Sequence, residues 1–435
     1  MATQASGQTQ VTVGDLVSRL RGPALDRFLR YVSVSTEASR WSETTPTSPG
    51  QQELADMLAQ ELRDLGLAVE DADRFGHVYA AIPASPGYEG PSVGFVAHVD
   101  TSPDAPGTGV TPQVIGRYQG GIVELADGEA LDPLHEVELR EHVGHDLVTS
   151  DGTTLLGTDD KAGIAEIMTA VAFILQDPDT VRPAIRLAFT PDEEVGRGIR
   201  HFDRDRFGAD LAYTLDGPGV GEVNDESFHG VELRITIRGR AAHPGYARDR
   251  MVNSLRLAAE VVAELESSPS PEQSSGREGY IHPFELRGTV EESILRITCR
   301  DLAPDGLEAR VGVVHDALGR VMAREPRAQG RIEEHNRFEG MGPHLATARP
   351  VIDRARTALA AVGIEARLEP IRGTTDGARL SALGLPAPNL SNGGHNFHSR
   401  TEWICVDDLA LMSGVVVELI RLWGRAGTPG ASGRP

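Results

Sequence analysis

Three short apolar runs, each leading into side chains suited to metal or acid–base chemistry, most constrain what this chain can form. They are SVGFVAHVD (92–100), AIRLAFT followed by PDEE (184–194), and DLAYTLD (210–216). Between the first two lies KAGIAEIMTAVAFILQ (161–176), apolar on nearly every side and so read as a mostly buried helix. Apolar strands alternating with helices predict an α/β domain with a mainly parallel mixed sheet flanked by helices. In such sheets ligands bind beyond the carboxyl ends of the strands. A further helix is predicted at QQELADMLAQELRDLGL (51–67), where Leu54, Met57, Leu58, Leu62 and Leu65 keep helical spacing and Gly66 supplies a stop.

After about residue 222 the texture changes. VELRITIRGR (231–240) alternates as a half-exposed strand does, and MVNSLRLAAEVVAELES (251–267) is an amphipathic helix. A polar stretch then leads to the strand-like ESILRITCRD (292–301) and the helix LEARVGVVHDALGRVM (307–322). This predicts a small α+β domain over 223–339, inserted into a catalytic domain made of 1–222 and 340–435, with a final helix at DDLALMSGVVVELIRLW. A chain of 435 residues is also too long for one core. The first ten residues and the tail GRAGTPGASGRP bury little and are expected to be mobile.

With 64 acidic and 42 basic side chains the formal charge is -22, which argues against nucleic acid or an anionic membrane as partner. No apolar stretch reaches the roughly 18 residues of a membrane helix and the N-terminus lacks a signal-like run, so a cytoplasmic protein is expected. The two cysteines, Cys299 and Cys405, are read as buried thiols, leaving His and carboxylate to hold any metal.

His98 and Asp100 end the first run two residues apart and point the same way, so one can bind a metal while the other orients it. Asp159 and Asp160 sit at the turn into a helix, where a carboxylate can also serve as an N-cap. Asp192, Glu193 and Glu194 follow the second run, and such acids are often only solvated charge. Asp216 ends the third, and His398 lies in the Gly/Asn-rich loop SNGGHNFHSRTEW (391–403). Singly each is a weak signal; five segments converging on one crevice form a set that zinc accepts.

FVAHVDTSPDAPG, TTLLGTDDKAGIAEIMTA, TPDEEVGRG, YTLDG, the HPG of AAHPG, MVNSL, IRGTTDGARLS and LPAPNLSNGG together carry a specific likeness. From about residue 20 to 425 the chain resembles the peptidase T family, tripeptide aminopeptidases among the co-catalytic zinc exopeptidases. The resemblance implies two zinc ions, with manganese or cobalt as substitutes: His98 and Asp216 on one, Glu194 and His398 on the other, and Asp159 bridging. It further implies a cis peptide after Asp159, Glu193 as general base and Asp100 holding His98. His243, in AAHPG, would reach the active site of a partner subunit across a homodimer formed by the inserted lid domain. Arg300 and Arg372 would stand near the carboxylate of a short peptide.

Two loops depart from that family's pattern, which has Tyr at the position of His395, a further His at that of Thr401, and a tyrosine-rich version of EEHNRFEGM (333–341). Metal chemistry is thus implied more firmly than tripeptide length. The same scaffold serves dipeptidases, carboxypeptidases and deacylases of amino acids. A metal-stabilised binding protein without catalysis is the reading from another class.

Overall fold

Val93–His98 forms a strand with all six residues buried, as its unbroken apolar run requires. Ile185–Thr190 and Leu211–Gly217 pair with it in parallel, one on each side. The computed structural model describes residues 12–177 and 180–427. Seven strands make the sheet, in the order Val78–Ile82, Ile185–Thr190, Val93–His98, Leu211–Gly217, Asn389–Ser391, Glu222–Asn224, Arg367–Leu368. The edge strand Val78–Ile82 is antiparallel to its neighbour, whereas Asn389–Ser391 runs parallel to Leu211–Gly217. This is the mixed, mainly parallel α/β sheet that the apolar runs predict.

The helix Thr158–Leu175 is buried along nearly its whole length, packed against the two strands that end in His98 and Asp216 and against the helices Val13–Val32 and Val406–Ala426. Its approach to the Asp216 strand depends on Gly163: a Cβ there would lie 2.3 Å from the Leu215 carbonyl oxygen. Pro49–Asp64 is helical and Gly66 follows with φ of +87°, the left-handed stop that glycine allows. The mobile ends expected from composition fall largely outside the described residues. The last helix, however, continues to Ala426, with Gly424 buried, so the start of the tail is ordered.

The chain divides into two units, one comprising residues up to Val223, Ala348–Leu368 and Gly384 onward, the other Asn224–Thr347 and Glu369–Leu383. The return to the first unit is thus later than residue 340 and is interrupted. Ile371 bonds through its backbone to Phe228 and Glu226, which draws Glu369–Leu383 into the second unit. There an antiparallel sheet runs in the order Tyr280–Gly288, Glu292–Asp301, His229–Arg238, Gln329–Phe338. Alternate residues Val231, Leu233, Ile235 and Ile237 are buried with Leu257, Val261, Val314 and Val321 from its two helices. Each such side chain contributes about 1.5–3 kcal/mol by leaving water. The first and last strands of this sheet were not read from the sequence. Gln329–Phe338 is exposed over most of its length and shows no alternation.

A further sheet of very short strands lies in the first unit: Gly394–His395, Trp403–Cys405, Leu147–Thr149 and Gln113–Ile115. Its first pair forms the base of the loop that carries His398.

Candidate active site

His98 closes its strand at 2% exposure, and its ring is held from both ends. Nδ1 lies 3.1 Å from the Asp100 backbone oxygen and 3.3 Å from its carboxylate, while Nε2 lies 2.8 Å from Asp159 Oδ1 and 3.6 Å from Asp216 Oδ1. Asp100 accepts the backbone N–H of Glu193 through one oxygen and that of Glu194 through the other, at 3.0 and 3.1 Å. One buried carboxylate thereby fixes both an imidazole and the acidic turn beside it.

On the other side of Asp159, His398 Nε2 lies 3.1 Å from Asp159 Oδ2 and 3.1 Å from Glu194 Oε1. Asp159 therefore faces His98 with one oxygen and His398 with the other. It is not the N-cap that its position allows: Gly157 holds that place, and Asp159 has extended backbone angles and a cis bond to Asp160. The three acids of PDEE have three environments. Asp192 is fully buried and accepts from the Thr47 N–H and Gln51 Nε2, Glu194 faces His398, and Glu193 has a carboxylate oxygen within 4.8 Å of His98 and Asp216 ligand atoms.

Burial and the mutual charges of these groups shift their ionisation. Burial and the charge of Asp159 push Glu194 up to about 8 and drive Asp216 well above the carboxylate range. Against the effect of burial, the facing carboxylates of Asp159 and Glu194 raise His398 to about 11, and those of Asp100, Asp159 and Asp216 raise His98. Burial opposes ionisation of Asp159 too, yet the two imidazoles hold it below its usual value. Glu194 Oε1 is buried with no hydrogen bond of proper geometry, although His398 is near. Three carboxylates, two imidazoles and an orphaned buried oxygen fit divalent cations in the zinc class. His398 is 37% exposed, so this half of the cluster is open to solvent.

Residues 144–422 match the model of peptidase family M20/M25/M40. The chain belongs to this M20 peptidase family. Within it the chain lies with peptidase T: it is 42% identical over 401 residues to peptidase T of Geobacillus thermodenitrificans, covering 92% of this chain and 98% of that protein. Peptidase T of Desulfitobacterium hafniense is 40% identical over 402 residues, with the same coverage. Among solved structures, aminopeptidase PepT from Bacillus cereus is 25% identical, with TM-score 0.71 over 93% of this chain and 98% of that one. A tripeptidase from Staphylococcus aureus has TM-score 0.74 at 20% identity, over 93% and 99%, a likeness of fold. The M20 member YXEP of Bacillus subtilis is described as a dinuclear metal binding peptidase, and its fold matches at TM-score 0.61. This chain is accordingly an M20 metallopeptidase of the peptidase T kind.

Three sequence-predicted residues of this M20 chain lie in the second unit. His243 is exposed on a turn, its Nδ1 accepting the Gly245 N–H. Arg372 donates to Ser274 Oγ at 2.7 Å and the Gly276 carbonyl, and its guanidinium lies over Phe228 and Tyr280. Arg300 donates to the Arg372 carbonyl at 3.1 Å, while its buried Nε has no hydrogen-bond partner.

Several supporting residues of the cluster were not singled out from sequence. Glu402, fully buried, accepts from the N–H groups of Leu156, Gly157 and Asp159 and from the Thr158 hydroxyl, shaping the turn that presents Asp159. Asn392 donates to Asp160, whose other oxygen accepts the His98 N–H. Asp104 lies 3.3 Å from His398 Nδ1. Glu402 and Asn392 stand in the segment carrying His398, and Asp104 follows AHVD, so proximity to ligand candidates was the available signal.

Proposed function

We propose that this chain is a two-zinc aminopeptidase that removes the N-terminal residue of short peptides, tripeptides foremost. The observation that carries the reading is Asp159, with an imidazole on each of its oxygens and a further carboxylate beside each imidazole. A carboxylate so flanked suits two cations side by side: His98 and Asp216 would hold one, His398 and Glu194 the other, and Asp159 both. When bound, the ions supply Lewis acidity that makes water acidic near neutral pH and stabilises negative charge on the peptide carbonyl.

The chain's own groups supply the rest. Glu193 takes the proton of the attacking water on its carboxylate and returns it to the departing amine nitrogen, as a general base and then a general acid. Asp100 keeps the Glu193–Glu194 turn and the His98 ring in place. Arg300 and Arg372 would stand near the peptide's terminal carboxylate, which a planar guanidinium suits. His243 would act from the partner subunit of a homodimer, holding the carbonyl oxygen. A reducing, cytoplasmic setting suits the two buried free thiols. Among the described residues no helix is long and apolar enough to cross a membrane.

The test is hydrolysis of a free tripeptide and its N-acetylated counterpart, before and after chelation, with zinc restored at the end. The reading predicts release of the first residue alone, from the free peptide only, lost on chelation and regained with zinc. Turnover of the acetylated peptide would transfer the site to deacylation, and turnover of neither by metal-loaded protein would leave binding without catalysis.

A further inference from the structure

Away from the His98–His398 cluster, another set of ligand-type side chains meets inside the first unit. His142 ends the short helix Glu138–His142, Asp408 lies in the first turn of Val406–Ala426, and His395 is on the strand Gly394–His395. One nitrogen from each ring and one carboxylate oxygen all lie within 4.8 Å of one another. His395 stacks flat on buried Trp403, with ring centres 4.0 Å apart, and His142 meets the same indole edge-on at 5.2 Å. The side chains of His142 and Asp408 are 13% and 9% exposed.

The hydrogen bonding leaves a place for positive charge. His142 Nδ1 lies 2.8 Å from the Glu138 carbonyl oxygen, which can only accept, so Nδ1 carries a hydrogen. Nε2 of the same ring lies 2.7 Å from Asp408 Oδ2, a second acceptor. A neutral imidazole has one N–H, so either an additional proton or a metal ion must stand between Nε2 and the carboxylate. His395 Nε2 is buried without a hydrogen-bond partner, and burial holds that ring's pKa down to about 4, leaving it neutral at physiological pH. A proton on His142 satisfies one pair. A cation reached by all three groups satisfies that pair and the His395 ring together.

We propose that His142, His395 and Asp408 form a binding site for one divalent cation of the zinc class, separate from the His98–His398 cluster. Two imidazoles, one carboxylate and no thiolate are ligands zinc takes, with water completing the shell. Zinc–ligand bonds of about 2.0–2.1 Å put tetrahedral ligands about 3.3 Å apart, so the 2.7 Å pair must open by less than ~1 Å. The ion ties the base of the His398 loop to the start of the last helix, so its role is structural. The adjacent trio His145, Cys405 and Asp407 has similar proximity, but Arg21 already bonds Asp407 at 2.6 Å and repels a second cation.

Zinc content of the full chain, stripped by chelation, reloaded and desalted, gives the test. Wild-type protein is expected to retain one equivalent more per chain than His395→Phe, whose ring keeps its stacking on Trp403; equal content overturns the site. If that substitution disturbs the circular dichroism spectrum, Asp408→Asn, nearly isosteric, is expected to lose the same equivalent, and equal content again overturns it. Anomalous scattering at the zinc edge from wild-type crystals needs no substitution: a peak among these three side chains is expected, and its absence with zinc elsewhere rejects the site. These readouts do not depend on how many ions the His98–His398 cluster takes. Zinc at one cluster and not the other separates failure of this proposal from failure of the two-zinc reading.

Discussion

Asp104 holds His398 from behind, its Oδ2 3.3 Å from Nδ1 while Arg40 bonds the other oxygen at 2.6 Å. A carboxylate in that position orients an imidazole and raises its basicity, so Asp104→Ala is expected to weaken zinc binding about 10- to 100-fold while leaving the fold intact. Competition with a chromophoric chelator measures this, and unchanged affinity would show that His398 needs no such support. At this scale His98, Asp159, Glu193, Glu194, Asp216 and His398 were legible as candidates because each stands at or just past the end of an apolar strand, at the turn into a buried helix, or in a glycine-rich loop. Glu402 was not, because the turn it supports lies about 240 positions earlier in the chain and only its nearness to His398 in sequence points to it. Asp192 shows the converse: among three consecutive acids, only the fold tells which is buried beneath Thr47 and Gln51.

Elements set distances that residues alone cannot. Helix Thr158–Leu175 carries Asp159 at one end, and Gly163 lets it lie close on the strand Leu211–Gly217, which carries Asp216. Gly163→Ala would force the two apart, with an expected loss of about 1–3 kcal/mol in denaturant unfolding and weaker zinc binding. A fully stable variant with native metal affinity would contradict that role. Arg21, on helix Val13–Val32, ties Asp146 to Asp407 of the last helix. Its hydrogen bond holds Asp146 below the ordinary carboxylate range; Asp407 is lowered too, where bonds from His145 and Arg21 outweigh burial. Depressed values mean the stabilisation is present above the unfolded value of about 3.9 and disappears as pH falls through the folded ones. For side chains 28–34% exposed, Arg21→Ala is expected to cost about 1 kcal/mol at neutral pH, with the difference closing below about pH 4. A gap that persists at pH 2 would contradict the assignment. The centre of the parallel sheet was legible because Val93–His98, Ile185–Thr190 and Leu211–Gly217 are continuous apolar runs, whereas Glu222–Asn224, Arg367–Leu368 and Asn389–Ser391 are too short and polar to show. The sheet under the His398 loop was not, since strands of two or three residues show no period.

For the whole molecule, the proposed homodimer would have each site borrow His243 from the partner. Mixing Glu193→Gln with His243→Ala subunits should then restore about a quarter of wild-type turnover, because statistical exchange makes half the dimers hybrid and gives each one intact site. No recovery in demonstrably mixed dimers would place His243 outside the catalytic apparatus. The change from buried to alternating strands after about residue 222 lies next to the boundary between Val223 and Asn224. The second crossing at Glu369–Leu383 was hidden, because it is made by backbone bonds around Ile371 that leave no pattern in side chains. The central claim is metal-dependent peptide hydrolysis with Glu193 as proton carrier, and its most direct test is release of the first residue from a free tripeptide by wild type and Glu193→Gln, with zinc measured in each. Full zinc content is expected in both proteins, with turnover reduced at least ~100-fold in the variant; a variant that keeps both its zinc and its turnover would mean that Glu193 carries no proton.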